Sequence, residues 1–148
     1  MQRANQPKQL DKFFEICRQH NLKITPQRTS VYQAVMKAEN HPSADDIFQI
    51  LKHVYPNISF DTVNRTLITF TQIGLLTLAE SYRGTRRFDP NFEVHHHMHC
   101  LKCGCIVDLM NDEFDQLKAP KQLMQKFPTV ISSRVIFNGI CLDCQHKD

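Results

Sequence analysis

Hydrophobic residues recur at helical spacing through the first half of the chain. An i, i+3, i+4, i+7 pattern predicts an amphipathic helix over residues 10–20. Second and third helices are expected to begin at Thr25 and Ser43, because each is a capping residue followed by residues that suit a first helical turn. A fourth helix is predicted from Ser59 to just before Gly74. The apolar positions of the first helix are Leu10, Phe13, Phe14 and Cys17.

The pattern changes to short extended segments after the fourth helix. We predict strands over residues 75–80 and 85–89, separated by a turn over residues 81–84 that contains Ser, Tyr, Arg and Gly. Helices followed by a short basic hairpin are typical of a winged helix-turn-helix. The sequence therefore predicts a winged-helix DNA-binding domain over residues 1–89, followed by a hinge over residues 90–94.

The last third of the chain has a mixed pattern. We predict strands over residues 95–100, 105–110 and 130–140, with one helix over residues 112–126. These elements make a small α/β domain over residues 95–148, so the predicted fold class is α+β. A unit of this size has a marginal hydrophobic core, and a bound metal or dimerisation would supply the missing stability.

Charge is unevenly distributed along the 148 residues. The first 90 residues contain 12 Lys and Arg against 8 Asp and Glu, whereas residues 91–148 contain 6 against 7. The basic half is therefore the half expected to contact nucleic acid. The chain shows neither an apolar signal segment near its start nor a stretch long enough to span a bilayer, which favours a cytoplasmic protein without a membrane partner.

Two CxxC pairs carry the clearest chemical signal. Four thiolates that converge from two tight turns form a closed tetrahedral site, so we expect a structural Zn²⁺ ion. A disulfide framework is disfavoured in a reducing compartment, and the helical first half argues against a thioredoxin-like redox protein. Cys17 is predicted to lie in the core, and Cys105 is predicted to be a strand residue facing away from the zinc. The four expected zinc ligands are Cys100, Cys103, Cys141 and Cys144.

A histidine cluster lies directly before the first CxxC pair. Side chains alternate along a strand, so His95 and His97 point to one face and His96 to the other. With the nearby carboxylates of Asp89 and Asp108, these imidazoles form an N/O ligand set that suits Fe²⁺, Mn²⁺ or Zn²⁺. Two alternatives are a solvated polar strand and a zinc hydrolase, but the chain contains no HExxH motif for the latter.

The fourth predicted helix has a polar face that can contact DNA. Its side chains can hydrogen-bond base edges or phosphates, although an ordinary surface helix is the simpler alternative. The candidate contacts on this helix are Ser59, Thr62, Asn64 and Arg65, with Thr69 one turn further on. Candidate phosphate contacts are Lys23 and Arg28, and the predicted basic wing contains Arg83, Arg86 and Arg87.

The order of these motifs resembles the ferric uptake regulator (Fur) family of dimeric metal-dependent transcription factors. The resemblance covers nearly the whole chain. It implies a homodimer that binds a double-stranded DNA operator and is neither an enzyme nor a binder of a small-molecule substrate. The matching motifs are ITPQR (24–28), HPSADDIF (41–48), SxxTVxRxL (59–67), RFD (87–89), HxH (95–97), CxxCG (100–104), IVD (106–108) and a final CxxC.

The resemblance also implies a regulatory metal, Fe²⁺ or Mn²⁺, held by residues of both domains. Its implied ligands are His41, Asp89, His95, His97 and Asp108. Asp108 stands where iron-uptake regulators usually carry Glu, and this is similar to the peroxide-responsive (PerR) branch. In that branch peroxide oxidises a histidine ligand of bound Fe²⁺, which would be His41 or His95 here. The alternative is a ferric or zinc uptake regulator that responds to metal sufficiency.

The chain departs from the family pattern in three respects. Asn64 stands where the family usually has a DNA-contacting tyrosine. His96 and His99 are additional imidazoles beside the predicted sites, and Cys105 replaces a residue that is usually basic.

Overall fold

The computed structural model describes residues 6–79, 81 and 84–146, and it divides the chain into two compact units. The units are Met1–Phe92 and Glu93–Asp148. Their boundary falls inside the stretch 90–94, for which a hinge is predicted.

Four helices build the first unit, and the starts of the last three follow from side-chain caps. Thr25 accepts a hydrogen bond from the backbone N–H of Arg28 (3.3 Å), and Pro26 occupies the first helical turn. Ser43 and Asp46 form a reciprocal capping box, and Ser59 accepts from the N–H of Thr62 (3.1 Å). All three predicted starts are confirmed. The helices are α1 Gln6–Gln19, α2 Pro26–Lys37, α3 Ala44–Leu51 and α4 Phe60–Gln72.

The apolar faces of these helices meet in one core. Phe13 of α1 stacks on Tyr32 of α2 (ring centroids 4.7 Å apart), and Phe70 of α4 meets Phe13 edge-on (5.7 Å). Cys17 is fully buried in the same cluster, as predicted. Gly74 follows α4 with a φ of 76°, which lets the chain turn out of the helix into the next segment.

A two-stranded antiparallel hairpin completes the first unit. β1 spans Thr77–Ala79 and β2 spans Arg87–Asp89, with Leu78 paired to Phe88. The observed strands are shorter than predicted. The predicted wing residue Arg83 lies outside the described residues, as do Glu80 and Tyr82.

The second unit is built on a three-stranded sheet in the order β4-β3-β5. β3 spans His96–Cys100, β4 spans Ile106–Leu109 and β5 spans Ile136–Gly139. β4 runs antiparallel and β5 parallel to the central strand β3. Each strand lies within its predicted segment, and the mixed fold confirms the predicted α+β class.

The helical prediction for the second unit is wrong in one place. The single helix predicted over residues 112–126 is two short helices, α5 Asp112–Asp115 and α6 Lys121–Lys126. Pro120 lies between them, and a proline disfavours helical backbone at the residue before it and lacks a donor for a continuous helix. A further short helix, α7 Leu142–Gln145, follows β5 in the chain and carries Cys144.

One face of this sheet carries a row of half-exposed apolar side chains. Met98 on the central strand is paired with Val107 on β4 and Phe137 on β5, so the three stand side by side. They are 41%, 53% and 41% exposed, respectively. No helix in the described part of the chain is long and apolar enough to cross a lipid bilayer.

Candidate functional site

The four cysteines of the two CxxC pairs come together at one end of the sheet in the second unit. Their four sulfur atoms all lie within 4.8 Å of one another, and the Cys103 and Cys141 sulfurs are 3.8 Å apart. A tetrahedral ion with bonds of about 2.3 Å to sulfur places its ligands about 3.8 Å apart. The cluster therefore fits a closed four-thiolate zinc site, as the sequence predicted.

Local backbone geometry builds this cluster. Gly104 adopts a φ of 77° and donates its N–H to the carbonyl of Cys100 (2.8 Å), closing the turn that carries the first pair. The Cys100 sulfur accepts backbone N–H groups of Cys103 (3.5 Å) and Cys141 (3.4 Å). These donors lower the pKa of the Cys100 thiol to about 5. Its charged form, which is the form that binds zinc, is therefore favoured by the backbone.

Cys105 does not take the position predicted for it. It precedes β4 instead of lying on a strand, and its thiol faces the zinc cluster, where it hydrogen-bonds to Cys103 and Cys141. Burial, followed by these hydrogen bonds, raises its pKa to about 12. The turn of the backbone at Gly104 explains the error, because residues on either side of it do not follow strand alternation. Cys105 is absent from the group of four mutually close sulfurs.

The histidines alternate across β3 as predicted. The Nε2 atoms of His95 and His97 lie 3.1 Å apart, and both side chains are fully buried. Asp108 is the cross-strand partner of His97, and its Oδ1 lies 3.6 Å from His97 Nε2 and 3.8 Å from His95 Nε2. His95 Nδ1 lies 2.7 Å from the carbonyl of Glu93, a contact that requires the proton on Nδ1. Nε2 of His95 is then the unprotonated nitrogen that a metal would use.

His96 and His99, the other two histidines of the cluster, have different surroundings. His96 lies on the opposite face, where Nε2 is 2.9 Å from Asp115 Oδ1 and Nδ1 accepts the backbone N–H of Val135 (3.0 Å). Both nitrogens of His96 are therefore used to join β3 to its neighbours. His99 is buried on the same face as His97, with ring centroids 5.8 Å apart.

A second pair of ligand-type residues lies within the first unit. His41 Nε2 is 3.3 Å from Asp89 Oδ2, and both side chains are buried. Asp89 Oδ1 accepts the backbone N–H of Asn91 (2.8 Å), which fixes the carboxylate and leaves Oδ2 directed at the imidazole. Two ligands about 2.1 Å from one ion are about 3.0–3.4 Å apart, so this pair also fits a metal.

His41 could not have been found from residue chemistry alone. It is an isolated histidine in a loop, 48 positions before Asp89, and the family resemblance was its one signal. The hydrogen bond from the Phe88 N–H to the Pro42 carbonyl (3.0 Å) joins the His41 loop to β2 and explains their proximity.

The outer face of α4 carries the predicted DNA-contacting side chains. Thr62 and Arg65 are exposed, and Arg65 pairs with Asp61 at 3.7 Å, a surface ion pair that water and salt screen. The Ser59 and Thr62 hydroxyls bond each other at the start of the helix (2.9 Å). Lys23 is exposed, whereas the Arg28 guanidinium donates to the Lys23 carbonyl.

A groove of about 310 Å³ runs beside the same helix within the first unit. Asn64 of α4, Thr85 and Arg86 of the hairpin and the residues at the N-terminal end of α3 line it. Arg86 is exposed. Asn64 and Arg86 are therefore a polar pair available to a ligand that enters between helix and hairpin.

Arg87 is not part of an exposed basic wing, contrary to the prediction. Its guanidinium is 21% exposed and turns inward, donating to the carbonyl of His41 (3.2 Å) and to Asp46 Oδ2 (3.4 Å). The alternation of the strand places Arg87 and Asp89 on the same side of β2, toward the His41 loop. Of the three predicted wing arginines, Arg86 alone is described as exposed.

A model of the ferric uptake regulator family matches residues 19–136 of this chain. The chain is 33% identical over 139 residues to a peroxide-responsive repressor (PerR) of Staphylococcus aureus strain Mu50, covering 94% of this chain and 93% of that protein.

Solved structures give the same result. The structure of a Campylobacter jejuni peroxide stress regulator has a TM-score of 0.64 and 30% identity, covering 88% of this chain and 98% of that one. The Helicobacter pylori ferric uptake regulator, reported with three functional metal binding sites, has a TM-score of 0.80 and 22% identity, covering 100% and 99%. The second likeness shows a shared fold.

Proposed function

The chain belongs to the ferric uptake regulator family, and we propose from this premise that it is a metal-dependent repressor that binds a double-stranded DNA operator as a homodimer. Members of the family regulate transcription, so the chain is a transcription regulator and not an enzyme. Its place of action is then the bacterial cytoplasm, where operator DNA is found.

The regulatory ion is shared by the two ligand sets described above. His41 and Asp89 supply two donors, and His95, His97 and Asp108 supply three, all nitrogen or oxygen atoms that suit Fe²⁺ or Mn²⁺. Donor spacings of 3.1–3.8 Å within each set support this assignment. Ligands divided between two domains bind best when the domains adopt one arrangement, which couples metal binding to DNA binding.

The zinc site has a separate, structural role. Cys100, Cys103, Cys141 and Cys144 leave no open coordination position, so they hold the ion permanently and join the end of β5 to the end of β3 and the turn that follows it. The ion is Zn²⁺ because four thiolates in tetrahedral geometry favour it.

Dimerisation uses the apolar side of the second unit. Val107, Met98 and Phe137 form a continuous half-exposed row on a three-stranded sheet, and such rows are unfavourable in water. A two-fold symmetric partner would bury them against their own copies. The dimer then presents two copies of α4 to the DNA.

DNA contacts are assigned to α4 and the residues beside it. Ser59, Thr62, Asn64 and Arg65 are the proposed base and phosphate contacts of the helix, and Lys23 and Arg28 are proposed phosphate contacts. Asn64 can form two hydrogen bonds with an adenine edge in the major groove. Arg86, across the groove from Asn64, is positioned to contact a phosphate.

The signal is proposed to be peroxide. The observation that carries this choice is the 33% identity to a peroxide-responsive repressor over nearly the whole chain, together with Asp108 in the ligand set. When bound, Fe²⁺ supplies the redox chemistry that activates peroxide. His41 and His95 are the proposed oxidisable ligands. Addition of one oxygen atom to either imidazole ring would weaken its bond to the metal and release the arrangement that binds DNA.

The test is a DNA-binding titration with defined metals. Operator-like duplexes are selected from a random pool in the presence of Mn²⁺, and their affinity is measured by fluorescence anisotropy with Fe²⁺ or Mn²⁺, before and after peroxide. We expect binding with either ion, and loss of binding after peroxide for the Fe²⁺ form alone. Mass spectrometry should then find one added oxygen on His41 or His95.

Two variants and a control locate the site. We expect His41→Ala and Asp108→Ala to abolish metal-dependent DNA binding while zinc content and the dimer remain. The matched control His20→Ala replaces an exposed histidine, and this variant should behave like the unmodified chain. An Fe²⁺ form that keeps its DNA affinity after peroxide would instead make the protein a regulator of metal sufficiency. DNA binding that does not depend on the metal would contradict both the peroxide-responsive and the metal-sufficiency assignment.

A further inference from the structure

The inward-facing guanidinium of Arg87 occupies a position that the proposed function does not explain. Its side chain lies on β2, two residues before Asp89, and donates to the carbonyl oxygen of His41 and to Asp46 Oδ2. Arg87 thus contacts the backbone of one proposed metal ligand and shares a three-residue strand with another. The Arg87 side chain is 21% exposed, so most of its surface is turned away from solvent and from any DNA partner.

Asp46 connects this contact to the start of α3. Its Oδ2 also accepts the backbone N–H of Ser43 (2.8 Å) and the Ser43 hydroxyl (2.7 Å), which closes the capping box of the helix. Ser43 follows His41 by two residues. The short segment 41–43 is therefore held at both ends, by Arg87 and the Phe88 N–H on one side and by the helix cap on the other.

α3 in turn packs against the proposed DNA-reading helix. Phe48 of α3 meets Phe60 of α4 edge-on, with ring centroids 6.0 Å apart. The His41 segment is therefore connected to the first turn of α4 through a capped, eight-residue helix. The route is made of contiguous contacts within the first unit.

We propose that Arg87 is a positioning residue for the regulatory metal. Arg87 holds His41 opposite Asp89 and joins that pair to the N-terminus of α3. The inference rests on the proposed function, because it assigns Arg87 to the same metal site. The planar guanidinium suits this task, since its several N–H groups can reach two acceptors at fixed angles. A lysine offers a single point charge and reproduces the arrangement in part.

The neighbouring Arg86 provides a matched control. Arg86 and Arg87 are consecutive and have the same charge, but Arg86 is exposed beside the groove of α4, whereas Arg87 is turned inward. If both were phosphate contacts, replacing either would lower the salt dependence of DNA binding. If Arg87 positions a metal ligand, the two substitutions should affect different measurements.

The experiment compares Arg87→Met, Arg87→Lys and Arg86→Met in the zinc-loaded full chain. Mn²⁺ affinity is measured by isothermal titration calorimetry, with His41→Ala as the reference for removal of a ligand. The salt dependence of DNA affinity is measured at saturating Mn²⁺. We expect Arg87→Met to weaken Mn²⁺ binding about 10-fold or more, as typical for groups that orient a metal ligand, with an unchanged salt slope. Arg87→Lys should fall between it and the unmodified chain.

Arg86→Met should give the opposite result. We expect unchanged Mn²⁺ affinity and a salt slope reduced by about 0.9 for each DNA phosphate that the variant no longer neutralises. A reduced salt slope for Arg87→Met with unchanged Mn²⁺ affinity would overturn the inference in favour of a phosphate-binding role. Unfolding of both Arg87 variants, seen by circular dichroism, would also overturn it, because Arg87 would then serve the fold as a whole.

Failure of the proposed function gives a different pattern. If the unmodified chain binds Mn²⁺ but its DNA affinity is independent of the metal, the repressor assignment is wrong. The Mn²⁺ affinities of the Arg87 variants still decide whether this residue positions a ligand.

Discussion

The two units of the chain fill their interiors with different chemistry. In the first unit the buried side chains are mainly hydrocarbon, with Phe13, Phe70 and Phe88 fully buried among the helices. Among the described residues of the second unit, the buried apolar ones are Cys100, Ile106 and Cys144, and four buried histidines lie beside them. One unit is therefore stabilised by apolar packing, and the other depends on groups that bind metals.

The surfaces differ in the same sense. Among the described residues, 14 large apolar side chains are exposed in the shorter second unit and 6 in the first. A small unit that buries little apolar surface and exposes much of it is marginal alone. We therefore expect the second unit to need zinc and a partner to fold, and the first unit to keep its fold without either.

Removal of the zinc should have the largest effect and should be confined to one unit. We expect Cys144→Ser to lose the ion and to unfold the second unit, because binding of a structural zinc contributes on the order of 10 kcal/mol in small domains. Zinc content by mass spectrometry, dimer formation by analytical ultracentrifugation and hydrogen exchange along the chain would be measured. Amides of β3–β5 should lose protection, whereas those of α1–α4 keep it.

Cys17→Ser is the control for this experiment. Cys17 is a buried cysteine of the first unit, so its substitution should destabilise α1 without changing the zinc content. Equal loss of protection in both units after Cys144→Ser would show that the first unit is not independently stable, and the comparison would fail.

A large-to-small substitution in the core of the first unit should destabilise that unit and leave the zinc site of the second unit intact. Phe70 is fully buried and lies edge-on to Phe13 and Tyr32, with ring centroids 5.7 and 6.3 Å away. We expect Phe70→Ala to lower the free energy of unfolding by about 3–5 kcal/mol through reduced burial and the cavity left behind. Urea unfolding followed by circular dichroism measures it.

Phe92→Ala is the matched control, since Phe92 is 48% exposed and should lose much less stability. Zinc should stay bound in both phenylalanine variants. Release of zinc from Phe70→Ala would indicate that the two units unfold together, and it would contradict their independent stability.

Disruption of the apolar row on the sheet should weaken the dimer by a smaller amount. Phe137 stands beside Met98 and is 41% exposed in the single chain. A charged side chain at this position should therefore leave the single chain folded but oppose burial of the row against a partner. Burying such a side chain contributes about 1.5–3 kcal/mol. Phe137→Lys should therefore raise the dimer Kd at least tenfold, by sedimentation equilibrium.

Val54→Lys alters a 64% exposed apolar residue of the first unit and serves as the control. It should leave the dimer Kd unchanged. If it weakens the dimer as much as Phe137→Lys does, the sheet face is not the interface.

Local signals predicted the framework of both units. Thr25, Ser43 and Ser59 act through hydrogen bonds a few residues away, so their capping roles are visible in the sequence. The CxxC pairs are equally local, because each pair is made by one turn. The alternation of His95 and His96 follows from strand geometry alone.

Contacts between distant segments were beyond such reasoning. Arg87 turns toward His41 across 46 positions, and nothing in its neighbourhood distinguishes it from Arg86. Cys105 was misplaced because one positive φ at Gly104 redirects the backbone before β4. The break at Pro120 could have been predicted from the proline itself, because a proline lacks the backbone donor that a continuous helix needs.

Cys105 offers the smallest and most specific test of how the second unit holds its metal. Its thiol lies beside the cluster and donates to Cys103, but it stands outside the group of four close sulfurs. We expect Cys105→Ser to keep one zinc per chain, because a hydroxyl still donates a hydrogen bond. Cys105→Ala removes the donor and should release zinc to a chelator about 10-fold faster, as typical for groups next to a ligand.

The comparison with Cys103→Ser decides between neighbour and ligand. Cys103 is one of the four close sulfurs, so its substitution should remove zinc and unfold the second unit, while both Cys105 variants stay folded. Loss of zinc from Cys105→Ser to the same extent would make Cys105 a ligand. The second unit would then rely on a different set of four sulfurs, and the first unit should still be unaffected.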